Sequence, residues 1–218
     1  MTQKEFKRKW DNYWYYYKWH TIVGVFALFL IILFTKDMIF KEKFDATILL
    51  CTSYYVDDTK IEELEKQAEK YFPDVDKNGE VNIAVNPIFI TKDEKGEPSD
   101  PQTAYAMQMK MIAEITSDPA MVYVFDQSYY DTYTEQAPLR KLSADFSGNK
   151  QVEGSAWKIG ESDFAKQNFL KDYFTTTGQQ IYASMGNGED IKKANEQERY
   201  KKIFEGFANM VNNKPLAQ

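Results

Sequence analysis

The chain has 218 residues, with 27 Lys and Arg against 33 Asp and Glu, one His and one Cys. A single cysteine rules out an internal disulfide, and the only histidine, His20, lies in an apolar stretch, which removes histidine catalysis and His-rich metal sites from everything after it. An acidic balance without clustered Lys or Arg argues against nucleic acid as a partner, because phosphate binding needs concentrated positive charge.

The stretch Trp19 to Phe40 is the strongest feature. Within it, Thr21 to Phe34 carries no charge, and aromatic residues (Trp10, Trp14, Tyr15, Tyr16, Tyr17, Trp19) precede it. A helix needs roughly 20 apolar residues to cross about 30 Å of hydrocarbon, and aromatic rings favour the interface. Residues 19–40 therefore read as a transmembrane signal anchor. Residues 1–18 read as a cytoplasmic or interfacial amphipathic segment, with Phe6, Trp10, Tyr13, Trp14 and Tyr17 at helical spacing. No small-x-small cleavage site follows Phe34, so the anchor is expected to stay uncleaved. Residues 1–43 hold eight Lys or Arg and four Asp or Glu, a net +4; the remaining 19 basic and 29 acidic residues leave −10. Basic residues flanking the span stay cytoplasmic, so the N-terminus is placed inside and residues 44–218 outside the cell.

The outer part, about 175 residues, is long enough for one domain with its own core. Phe44 to Cys51 is short and apolar and predicts a strand. Asp57 or Asp58 caps a helix over about 59–72, and Pro73 ends it. Asp74, Asp76 and Asn78 then alternate as oxygen donors before Gly79, as in the first half of a calcium-binding loop. The twelfth loop position is Val85 rather than Glu, so a plain Asp/Asn/Gly turn is the competing reading and Ca²⁺ stays a candidate cofactor. Val81 to Ile90 predicts a second strand, interrupted at Pro87, and Thr91 to Pro101 a charged loop. A helix capped by Ser99 or Asp100 follows to about Thr116, and Met121 to Phe125 is a third strand. Residues 126–136 predict a short helix, 143–154 a polar loop, and 156–159 a short strand. A helix from Ser162 to about Phe174, a strand over 179–185 and a C-terminal helix over 190–211 complete the chain. Alternating strands and helices predict an α/β domain with a mostly parallel sheet flanked by helices.

The segment order, with Ser117-Asp118-Pro119, the strand Met121 to Phe125, Asp126 and the Leu139/Leu142 pair, resembles the first lobe of bacterial extracellular solute-binding proteins of the type II periplasmic-binding class. It is similar still to a set of uncharacterised Gram-positive single-pass membrane proteins that carry one such reduced lobe. The resemblance implies a membrane-anchored extracellular binding domain, with a transporter or another membrane protein as partner and ligand residues Ser53, Tyr54, Asp126, Tyr129 and Tyr130. These positions follow predicted strands, where open α/β sheets bind ligands. Tyr54, Tyr55, Tyr129, Tyr130, Tyr133 and Trp157 are candidates for stacking on a sugar, against ordinary packing as the plainer role. No nucleophile elbow, Walker loop or zinc-protease motif is present, so no catalytic residue is assigned and no enzymatic activity is expected. The competing reading is a structural or assembly protein of the envelope whose lobe is a bare scaffold.

Overall fold

In the computed structural model, described for residues 3–39, 44–91, 98–134 and 138–216, the chain divides into two compact units, 1–43 and 44–218. The first unit is one helix, α1 (Gln3–Ile39), 37 residues long. At 1.5 Å per residue it extends about 55 Å, well beyond the hydrocarbon thickness. Tyr13–Leu33 is the one stretch among the described residues that is long and apolar enough to cross a membrane. It begins earlier than the sequence predicts because the aromatic segment continues the same helix without a break. Val25 and Phe26 stand 64% and 60% exposed. Trp10 stacks on Trp14 and Tyr13 on Tyr17, which makes the aromatic spacing a continuous ridge.

The second unit is built on a six-stranded sheet in the order β2-β1-β3-β6-β5-β4. The strands are β1 (Ala46–Thr52), β2 (Ile83–Phe89), β3 (Val122–Asp126), β4 (Val152–Glu153), β5 (Ala156–Lys158) and β6 (Ile181–Met185). β1 pairs parallel with both β2 and β3, whereas the β3–β6, β6–β5 and β5–β4 pairs are antiparallel. The sheet is therefore mixed, which corrects the expectation of a mostly parallel one. β6 is the reversing strand: β5, antiparallel to it, runs in the same sense as β1–β3. Periodicity reports that a strand exists and which residues it buries, but not which way it runs beside a distant neighbour.

Alternation in the central strands divides the core. Ile48, Leu50, Val122 and Val124 face one side, where α2 (Asp58–Ala68), α6 (Phe169–Thr177) and α7 (Ala194–Val211) supply Leu64, Leu170, Ile203 and Phe207. Leu49, Cys51, Tyr123 and Phe125 face the other, under α3 (Pro101–Ser117) and α4 (Gln127–Tyr133), which supply Ala104, Met111 and Tyr129. Strands buried on both faces read as near-continuous apolar runs for this reason.

Local departures from the sequence reading have identifiable causes. β2 is not interrupted at Pro87, which pairs with Leu50; as an edge strand, β2 has one side with no ladder bond for a proline to forfeit. The helix predicted from Ser162, which follows a 3₁₀ turn at Ile159–Glu161, starts as a second 3₁₀ turn at Ala165–Gln167, and α6 starts afresh with Asn168 as its cap, accepting from the Leu170 N–H at 2.9 Å. α2 ends at Ala68, before Pro73, while Tyr71 and Phe72 still reach the core. The C-terminal helix starts at Ala194, and the predicted polar loop contains a one-turn helix α5 (Leu142–Asp145) and β4. Most of the charged loop after Thr91, residues 92–97, lies outside the described residues.

The segments behind the family resemblance have structural partners. Asp118 takes a two-pronged ion pair from Arg199 of α7 at 2.9 and 3.0 Å and accepts the Ala120 N–H. Leu139 forms a bridge with Gly186, and Leu142 is fully buried. A Cβ on Gly186 would meet the Pro119 carbonyl oxygen at 2.3 Å, so only glycine permits this approach. Gly186→Ala is expected to lower unfolding stability by roughly 1–3 kcal/mol, as overpacking against backbone does. Gly24→Ala, with nothing within 4 Å of the added carbon, should leave it unchanged. Urea denaturation of the full-length chain followed by tryptophan fluorescence would compare the two.

Candidate functional site

One end of the sheet gathers the ends of β1 and β3 and the start of β6, because an antiparallel strand begins where its neighbour finishes; Asp126 and Ile181 are direct partners in the ladder. Asp126 is completely buried there. Its Oδ2 accepts from the Ser53 N–H at 2.6 Å and from the Tyr173 hydroxyl at 2.9 Å, and its Oδ1 accepts from the Tyr129 N–H at 3.1 Å, capping α4. One carboxylate thus joins the loop after β1, the β3–α4 junction and α6. Bonds of this kind are charge-assisted and short, and several donors can replace lost hydration.

Above this junction lies a cleft of about 300 Å³ lined by Tyr54, Tyr55, Val56, Lys60, Phe169, Asp172, Tyr173, Thr176 and Thr177. Tyr54 and Tyr55 are 50% and 61% exposed. Both are held edge-on by another ring, Tyr54 by Tyr173 at 6.0 Å and Tyr55 by Phe89 at 5.2 Å. Edge-to-face contact fixes a ring while leaving its own face available. The Thr52 hydroxyl donates to the Tyr54 carbonyl at 2.8 Å and tightens the turn that presents both tyrosines. α6 is fixed at its start as well: the Asn168 amide donates to Gln67 Oε1 at 2.6 Å, and the Gln67 amide donates to the Phe164 carbonyl at 2.9 Å.

The residues named from sequence fall into three places. Tyr54 lines the cleft. Ser53 and Asp126 lie at the buried junction, not on the cleft wall, and the Ser53 hydroxyl is buried without a hydrogen-bond partner. Tyr129 is buried on the opposite face of the sheet, and Tyr130 packs beside it with its ring stacked on Tyr182 at 4.1 Å. Of the other stacking candidates, Tyr55 lines the cleft. Trp157 does not, being fully buried in the core, and the side chain of Tyr133 lies outside the described residues. The contribution of α6 (Phe169, Asp172, Tyr173, Thr176, Thr177) was missed. From sequence this segment reads only as a helix, and the fold carries its residues back beside Tyr54.

The acidic turn is a separate feature. Asp45, Asp74 and Asp76 place one carboxylate oxygen each within 4.8 Å of one another, so among the described residues these three could hold a cation. Asp45, which is buried, was not singled out from the sequence. Its carboxylate accepts from the backbone N–H groups of Val75, Asp76 and Asn82 and pins the turn to the start of β1. Asp74 accepts from the N–H groups of Lys77, Asn78 and Gly79, which hold its carboxyl below the usual range. Asn78 is committed to Asp76 and to the Glu80 N–H. The Lys202 ammonium donates to the carbonyls of Asp74 and Val75 at 3.1 and 3.2 Å and brings a positive charge to the turn. The turn is thus closed by its own backbone donors and a lysine. The melting temperature of the full chain in excess CaCl₂ against EDTA decides between the two readings: no change is expected for a turn held by its own bonds, and a rise with CaCl₂ for a calcium site.

No family model matches the chain, and no curated protein or solved structure matches it either.

Two predictions concern the junction. Asp126→Ala leaves three buried donors unpaired and is expected to cost roughly 3 kcal/mol or more; Tyr173→Phe removes one bond and should cost about 1 kcal/mol. Burial first, and then the Asp126 charge, push the Tyr173 phenol well above its ordinary value of 10.0. A group that holds its proton longer in the fold than in the unfolded chain contributes fully below the unfolded value and loses that contribution as pH rises beyond it. The contribution of Tyr173 to stability should therefore be level below pH 10 and fall above it. Tyr173→Phe should reduce the alkaline slope without abolishing it, because burial also raises the Tyr123 phenol. Urea midpoints measured across pH would show both effects.

Proposed function

We propose that the protein is a membrane-anchored extracellular binding domain that takes its ligand in the cleft between Tyr54, Tyr55 and α6. The observation that carries this reading is the cleft itself: four aromatic side chains, Tyr54, Tyr55, Phe169 and Tyr173, with Lys60, Asp172, Thr176 and Thr177 among them, at the carboxyl end of β1. Apolar walls with a few polar groups characterise small-ligand sites, and strand ends are where open α/β sheets place them. A floor locked by the buried Asp126 favours a preformed site. Asp172 is the only carboxylate lining the cleft, and no histidine lines it, so it lacks the paired acid and base of a hydrolase. The domain is thus read as non-catalytic.

The anchor follows from Tyr13–Leu33, and the charge difference between the two parts of the chain supports a cytoplasmic N-terminus. In this arrangement the cleft belongs to a reduced, solute-binding-like lobe at the outer surface. A transporter or another membrane protein is its natural partner.

The full-length chain in detergent would be melted with maltohexaose, chitohexaose and a mixed-sequence hexapeptide in turn. A ligand at about 100 times its Kd stabilises by roughly 2.7 kcal/mol, a clear rise in melting temperature. The expected result is a rise with one probe that Tyr54→Ala/Tyr55→Ala removes while the unliganded melting temperature is kept. A flat profile across all three, or a rise that survives the double substitution, overturns the cleft assignment. Proteinase K added to intact cells should remove the lobe; a protected lobe would overturn the orientation.

A further inference from the structure

α3 carries apolar residues on both of its sides. Ala104 and Met111 are buried against the sheet, with Met107 and Ile115 partly buried beside them. Yet Tyr105, Met109 and Ile112 stand 66%, 48% and 50% exposed. Their spacing of four and three residues puts them on one outward face. Among the described residues of the lobe, the other large hydrophobic side chains this exposed are Tyr54 and Tyr55, which line the cleft. α3 is also poor in charge. Lys110 and Glu114 are its only charged residues in 17, whereas α2 holds six in 11. The exposed strip of Gln102, Tyr105, Ala106, Met109, Ile112, Ala113 and Thr116 has none, and Lys110, exposed at its margin, reaches to the Pro87 carbonyl at 3.4 Å. A helix whose outer face only meets water normally keeps charged residues there.

We propose that this face is a self-association surface, on which α3 packs antiparallel against α3 of a second copy of the chain with Met109 on the two-fold axis. A two-fold interface requires one patch to fit itself. In an antiparallel pair centred on Met109, a residue a given number of positions before it meets the residue the same number after it. Tyr105 then falls opposite Ala113 of the partner subunit, and Ile112 opposite Ala106 of the partner subunit. Large faces small on both sides of the axis, and Gln102 meets Thr116 of the partner subunit as a polar closure at each end. This internal symmetry singles out a second copy as the occupant. Charge agrees: residues 44–218 carry a net −10, so two copies repel through most of their surface, and the strip along α3 adds nothing to that repulsion. One helix pair falls below the roughly 1,200 Å² of stable complexes, which makes the dimer weak and suited to covalent trapping.

The test is cysteine cross-linking of the full-length chain in isolated membranes. Native Cys51 is fully buried, and burial pushes its thiol well above the ordinary range, so it stays unreactive. Met109→Cys is expected to give a disulfide-linked dimer on mild oxidation. Gln102→Cys and Thr116→Cys should each give none alone, and the double substitution Gln102→Cys/Thr116→Cys should give one. Adding Ile112→Glu to Met109→Cys should abolish the dimer without lowering the melting temperature, since Ile112 is half exposed and outside the buried core of its own copy. No dimer from Met109→Cys above that from an exposed control, Glu198→Cys on α7, overturns the proposal. A dimer from Gln102→Cys alone, which indicates parallel packing, or a product of a different mass, which indicates another partner, overturns it equally.

Discussion

The buried carboxylate of Asp126 is the constraint on which the lobe's architecture depends. It accepts from Ser53, 73 positions away, and from Tyr173, 47 positions away, and caps α4 through Tyr129. A charge removed from water survives only when its lone pairs are filled, and donors filling them from three segments must all arrive together. The same bonds that make the charge tolerable therefore fix α6 against the end of β1. The cleft walls and the core are held by one set of contacts.

The direction of β6 explains why α6 is available for this. A parallel strand beside β3 would start at the far end of the sheet and leave its preceding helix there. Because β6 runs antiparallel, the chain enters it beside Asp126, and α6, immediately before β6, sits over the ends of the parallel strands. Strand reversal thus builds the cleft from residues around 54 and around 173. The other face of the sheet is filled differently. There Tyr129 and Tyr130 of α4 join the core beside α3, and the exposed apolar residues lie on the outside of α3 rather than in a hollow.

The motifs that stood out along the chain divide by how local their bonding is. Asp74, Asp76 and Asn78 fold the turn through backbone N–H groups only two to five residues away, so the turn was recognisable. Asp45, which anchors that turn from 30 and more residues away, was not. Nothing in Ser117-Asp118-Pro119 points to Arg199, 81 positions away, or to Gly186, against which the Pro119 carbonyl lies.

By itself, the sequence determined the long apolar helix, the alternation of strands and helices, and a cap at Asp57 or Asp58 and at Ser99 or Asp100. Each of these follows from periodicity or bonding within a few positions. Only the tertiary structure decided that the sheet is mixed, that the helix after Ser162 restarts at Asn168, that Trp157 is core, and that Tyr173 rather than Tyr129 shares a wall with Tyr54. The physical reason is that strand direction and the filling of buried polar groups depend on segments far apart in the chain. Their encounter is set by how the whole core packs, and no local pattern of residue types encodes it.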